Sequence, residues 1–188
     1  MKARQVADLD PDGALADNAE RIVRVRLDEL CGFMPTAADP EQVVALHDMR
    51  IAAKRLRYIL EVTGPCFGTY AKTATKLTKD LQDLLGEIHD CDVHIPEVAA
   101  FAERLLAADV SALHEAAGDA PDLDAALLKE APHARDHAGL AALEAHLRAR
   151  RRLLFDRFLD LWSEYERKGF RARLEYAVGE RSVSIEAS

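Results

Sequence analysis

The stretch Leu46 to Glu61, LHDMRIAAKRLRYILE, constrains the fold of this chain more than any other. At 100° per residue, Met49, Ala52, Ala53, Leu56, Ile59 and Leu60 fall on one side of a helix, which predicts that this side is buried against neighbours. On the opposite side His47, Arg50, Lys54 and Arg57 recur at spacings of three and four. Their heads therefore form one row about three turns long, with Tyr58 beside it. Like charges at such spacings each cost a few tenths of a kcal/mol on an isolated helix. Glu61 is placed to pair with Arg57, and Asp48 lies to one side, yet the row keeps an excess of positive charge. Two readings fit: a solvated helix face, or a surface that holds an anion.

The rest of the chain repeats the helical period. Leu15, Ile22, Val23, Leu27 and Leu30 predict a first helix within residues 12–33, and Pro35 and Pro40 place a loop over 34–40. Asp39 is expected to cap the basic helix, with Pro40 at its first position, and Thr63-Gly64-Pro65 to end it. A third helix is predicted over 70–85, with Ala74, Leu77, Leu81, Leu84 and Ile88 on its buried side and Lys72, Lys76 and Lys79 stacked on the other. Gly86 is expected to break it, making His89-Asp90 a junction before a fourth helix that runs to Ala108. Residues 109–136 weaken into Ala, Asp and Glu, which predicts a loop with short helical pieces. His114, His133 and His137 are read there as surface residues rather than ligands. The last long helix, 139–168, aligns Leu140, Leu143, Leu147, Leu154, Phe158, Leu161 and Tyr165 beside a cluster containing Arg148, Arg151 and Arg152. Gly169 then precedes a short final helix.

With 188 residues, nine glycines, seven prolines and no sustained alternation of period two, the prediction is an all-α bundle of five to six helices. One domain is expected over 12–178, with flexible termini at 1–11 and 179–188. No apolar run approaches the roughly 18 residues a membrane helix needs, and MKARQVADLDPDG has no signal-peptide core. Cys31, Cys66 and Cys91 are widely spaced and odd in number, which predicts free thiols and a cytoplasmic setting. The net charge of −8 disfavours nucleic acid, whose field would be repelled. Clustered cations in an acidic protein are therefore informative. From His47 to Arg57 there are Arg50, Lys54, Arg55 and Arg57 against Asp48; from Arg148 to Arg157 there are five arginines against Asp156.

The order His47, Arg50, then Lys54-Arg55-Leu56-Arg57-Tyr58, followed by Gly64, Pro65, Phe67 and Gly68, resembles the CHAD domain, the conserved-histidine α-helical domain. Leu81-Gln82-Asp83-Leu84-Leu85-Gly86 and His89-Asp90-Cys91-Asp92-Val93 resemble the second block of its signature. The resemblance implies a helical module that binds inorganic polyphosphate on a basic surface without catalysis, cofactor or metal. Carried onto this sequence, the contacts would come from His47, Arg50, Lys54, Arg55, Arg57, Lys72, Lys76, Lys79, Arg148, Arg151 and Arg152. Polyphosphate suits such a set, because it carries dense negative charge and no base edges, and Lys and Arg bind phosphate as point charge and fork. It also implies an association with polyphosphate granules.

One position departs from the family: His89 stands where an arginine is usual. His89-Asp90, with His47-Asp48 and His94, also resembles the HD-domain metal phosphohydrolases, whose His and Asp ligands activate water at a metal. A scaffold docking an acidic protein on the same basic rows is a third reading. Longer CHAD proteins resemble two similar bundles about an approximate twofold axis, and this chain has a single copy of the basic helix and of the Gly86 block. A homodimer would restore the missing half.

Overall fold

The structure, a computed structural model, describes residues 2–180. Its helices are α1 (Leu15–Cys31), α2 (Val43–Thr63), α3 (Tyr70–Ala117), α4 (Asp136–Arg167) and α5 (Phe170–Gly179), with single 3-10 turns at Thr36–Ala38, Gly64–Cys66 and Ala125–Lys129. Among the described residues there is no β-strand, so the all-α expectation stands. Nor is any helix there long and apolar enough to cross a membrane.

The chain divides into two units. The first comprises residues 2–89 and 154–180. Here α1 packs on α2 and on α5, burying Ala19, Val23, Leu27 and Leu30 at spacings of three and four. The predicted stripe of α2 is buried at Met49, Ala52, Ala53, Leu56 and Leu60, and Ile59 is half-buried. Residues 70–89 of α3 bury Ala71, Ala74, Leu81, Leu84, Leu85 and Ile88, and residues 154–167 of α4 bury Leu154, Phe155, Phe158, Trp162 and Tyr165. Tyr165 Oη donates to the Leu77 carbonyl at 2.8 Å, fixing α4 on α3. Gly169, at φ +68°, turns the chain into α5. The buried carboxylate of Glu29 accepts from Arg26 Nη1 and from the backbone N–H of Arg4, both at 2.6 Å. The leader, expected to be loose, thus lacks regular structure but is tied to α1 at Arg4. The expectation for 181–188 lies outside the described residues.

Expectations fail at three helix boundaries, one of them the end of α3, which runs to Ala117 and not to Ala108 and so takes in the first part of the loop expected over 109–136. Asp39 does not cap α2: its Oδ1 accepts from Glu41 N at 2.9 Å, closing a turn of its own, and the helix starts at Val43 behind Gln42. Nor does Gly86 break the third helix, since α3 is continuous for 48 residues through Gly86, His89 and Pro96. The cost of Gly in a helix interior is about 1 kcal/mol and of Pro about 3. Burying one side chain such as Leu or Ile returns roughly 1.5–3 kcal/mol, and Leu84, Leu85, Ile88 and Ile95 are all buried along this part of α3.

The second unit, Asp90–Leu153, is a helical hairpin made of the end of α3, a loop and the start of α4. Asp92 pairs with Arg151, and Arg150 Nη1 lies 3.6 Å from Cys91 Sγ. At the other end Asp109, buried, accepts from His133 N at 2.9 Å and contacts His137 Nε2 at 2.8 Å. The His137 side chain is therefore a structural partner of a buried carboxylate rather than the plain surface residue expected, whereas His133 gives only its backbone N–H and turns its ring to Asp136. Burial raises the Asp109 pKa, but the His137 contact and the His133 N–H outweigh it and hold the carboxyl below its ordinary value.

Candidate functional site

The candidate site lies in the first unit, where residues 70–89 of α3 run antiparallel to α2. His47 faces His89, with Nδ1 atoms 3.4 Å apart and ring centroids at 4.6 Å, inclined by 51°. One turn along, Arg50 lies against Gly86, and a Cβ on that glycine would stand 3.4 Å from Arg50 Nε. Gly86 is therefore a point of contact with a guanidinium rather than a helix stop. Sequence reasoning missed this, although the available signal was a glycine on the helix that carries the second basic row.

Arg50 is half-buried, and its Nε is enclosed with no hydrogen-bond partner. Arg57 stands 3.4 Å from Glu61 through its Nε, also enclosed and without a hydrogen bond, and its guanidinium lies 4.7 Å from the Tyr58 ring centroid. A buried, unpaired polar group costs about 1–3 kcal/mol. Lys54 is exposed, with Nζ 5.7 Å from the same ring. Tyr58 thus organises cations rather than packing in the core. Arg55 points elsewhere, 4.0 Å from the buried Glu29 of α1.

Beyond Arg57 the row meets the lysines. Leu60 and Glu61 of α2 line, with Lys72, Lys76 and Lys79 of α3, an open groove of about 610 Å³ floored by apolar atoms. Lys79 pairs with Asp83 four residues on, and Lys72 and Lys76 are exposed. From His47 to Glu61 the α2 edge rises about 21 Å. The α2/α3 pair thus has His47 and Arg50 beside His89 and Gly86 at one end and Lys72, Lys76 and Lys79 beside Glu61 at the other, with Lys54 and Arg57 on α2 in between. This surface can hold an extended polyanion by charge and hydrogen-bond donation.

Arg148, Arg151 and Arg152 belong to the hairpin. Arg148 pairs with Glu144 at 2.6 Å, Arg151 with Asp92, and Arg152 is exposed. The three cysteines are free. Burial, with the neighbouring carboxylates of Asp28, Glu175 and Glu166, pushes the Cys31 thiol up to about 11 against the lowering effect of Arg171, so Cys31 is no thiolate nucleophile at neutral pH. Among the described residues no three His, Cys, Asp or Glu side chains are grouped to hold a metal ion. The expected junction at His89 does not exist, so it gives no reason to set His89-Asp90 apart from a ligand pair. The guanidinium of Arg50 one turn from His47 gives a physical one, since it would repel a cation.

The sequence model of the CHAD domain matches residues 2–99 of the 188. That span contains α1, α2 and the His47, Gly86 and His89 positions, and it stops short of the hairpin arginines. No curated protein and no solved structure matches the chain.

Proposed function

The chain belongs to the CHAD domain family, and from that premise we propose that it binds inorganic polyphosphate along the α2/α3 surface without turning it over. The observation that carries this reading is the pair of enclosed guanidinium nitrogens, Arg50 Nε and Arg57 Nε, set in a row of cations with too few carboxylates to match them. A folded protein tolerates such donors when a ligand supplies the missing acceptors. Arg50 and Arg57 fork onto phosphate oxygens, Lys54, Lys72, Lys76 and Lys79 supply screening charge, and the His47–His89 pair donates at one end. Such a protein acts in the cytoplasm, at granules where polyphosphate accumulates.

Titration with polyphosphates of graded length, beside an acidic peptide of equal total charge, tests the reading. Affinity is expected to rise with chain length and to favour polyphosphate strongly. Equal affinity for the peptide would favour the scaffold reading. A stoichiometric, tightly held metal, lost from His89→Ala together with phosphatase activity, would establish the hydrolase reading instead.

A further inference from the structure

The hairpin Asp90–Leu153 leaves its apolar surface uncovered. Of its apolar side chains only Cys91 and Ile95 are buried, while Phe101, Leu106, Val110 and Leu143 are between 43% and 58% exposed. Phe101 and Leu105 of α3 and Gly139, Leu140 and Leu143 of α4 line an open groove of about 550 Å³ between the two helices. No side chain of the chain approaches within 4 Å of where a Cβ on Gly139 would stand. Exposed apolar patches of this kind mark interaction surfaces.

Charge along the hairpin is segregated. From Glu115 to Glu130, around the tip, Glu115, Asp119, Asp122, Asp124 and Glu130 stand against the single cation Lys129. At the hairpin's base α4 carries Arg148, Arg150, Arg151 and Arg152, with Asp90, Asp92 and Glu97 on α3 there and Glu144 on α4. Asp92 engages Arg151 and Glu144 engages Arg148, yet Arg148 keeps 61% of its side-chain surface exposed, and Arg152 is exposed too. An acidic tip and the exposed Arg148 and Arg152 at the base are complementary when one hairpin is turned end for end on another, as a twofold axis requires.

We propose that the hairpin is a dimerisation arm, and that two copies dock antiparallel through the Phe101–Leu143 groove to complete a four-helix bundle. Each tip then lies beside the partner copy's arginine base. Two antiparallel hairpins are the ordinary composition of such a bundle. The area suffices: the hairpin's 28 residues of α3 and 18 of α4 are about 42 and 27 Å long, each presenting a strip about 10 Å wide. That amounts to roughly 700 Å² per copy, near the ~800 Å² per partner of stable interfaces. This inference does not depend on polyphosphate, and its readout is taken without the anion.

Light scattering of the full chain at micromolar concentration is expected to give twice the 20.8 kDa of one chain. Phe101→Glu with Leu143→Glu should give a single-chain mass with unchanged helicity by circular dichroism. Arg148→Glu with Arg152→Glu should do the same, because acidic tips would then meet acidic bases. Adding Asp119→Arg and Asp122→Arg to that second variant should restore the dimer, a rescue that unfolding cannot mimic. A single-chain mass for the natural sequence overturns the proposal, and so does a dimer that withstands both sets of substitutions. A partner of another kind is indicated if the natural chain stays single at every concentration.

Discussion

Replacing Arg50 by Met separates a binding residue from a structural one, because the structure sets the two effects in opposite directions. Met keeps an unbranched apolar stem where the Arg50 stem packs, and removes the enclosed Nε that has no acceptor. Losing a buried unsatisfied donor is worth about 1 kcal/mol to the unliganded protein at the low end of the usual range. For a chain of this size that is a rise in Tm of about 2–4 °C. Binding should move the other way. A charged hydrogen bond contributes about 1.5–3 kcal/mol, so the dissociation constant for long polyphosphate should rise roughly 10- to 150-fold at low salt. Thermal melts followed by circular dichroism, and titrations at fixed low ionic strength, measure both. Adding Arg57→Met should extend the binding loss to several kcal/mol if both forks touch phosphate. An unchanged dissociation constant in the folded variant would refute the assignment and move the anion elsewhere. A Tm that falls by several degrees would show that Arg50 holds the helices together and that its enclosed nitrogen is not a stored cost.

If about five phosphates are neutralised, the logarithm of the dissociation constant should climb by about 3.5 per tenfold increase in salt, by the single-strand rule; a flat response would remove the electrostatic mechanism. Gly86→Ala should stabilise α3 by up to about 1 kcal/mol through helix propensity and leave polyphosphate affinity unchanged, because the new methyl would stand in ordinary contact with Arg50 Nε at 3.4 Å; weakened binding in the folded variant would mean that the guanidinium moves towards Gly86 when it takes up phosphate. The Asp109 pKa is held below its ordinary 3.8 in the folded hairpin, so its contribution to stability is present above that value and lost as pH falls through the lower folded one. Acid titration of helicity should accordingly be shallower below about pH 4 in Asp109→Asn than in the natural chain, and identical profiles would show that the His133 and His137 contacts add nothing.

The legible parts of this molecule are those set by short-range periodicity. Met49, Ala52, Ala53, Leu56 and Leu60 were readable as a buried stripe because residues three and four apart share a face whatever lies opposite, and the same spacing made the cationic row visible. What the row faces was not readable. His47 and His89 are 42 positions apart, and Asp109 meets His133 and His137 across 24 and 28. Side chains that distant in sequence carry no mutual signal in a single chain. Glu29 is the clearest case. One acidic residue among many in the sequence, it is buried and gathers Arg26, Arg55 and the Arg4 backbone around it.

The misreading of α3 shows where local rules lose their force. Gly86 reads as punctuation because glycine disfavours a helix interior, and Pro96 disfavours it more, but these preferences are energies of about 1 and 3 kcal/mol and not prohibitions. Along the same stretch Leu81, Leu84, Leu85, Ile88, Cys91 and Ile95 are buried at spacings of three and four. At roughly 1.5–3 kcal/mol for each such side chain, an uninterrupted helix that keeps them aligned outweighs both penalties together. A break at Gly86 would also have turned His89 away from His47, and Gly86 away from Arg50. The residue that most resembled a boundary is thus one at which the two basic helices meet, with Arg50 of α2 lying against it.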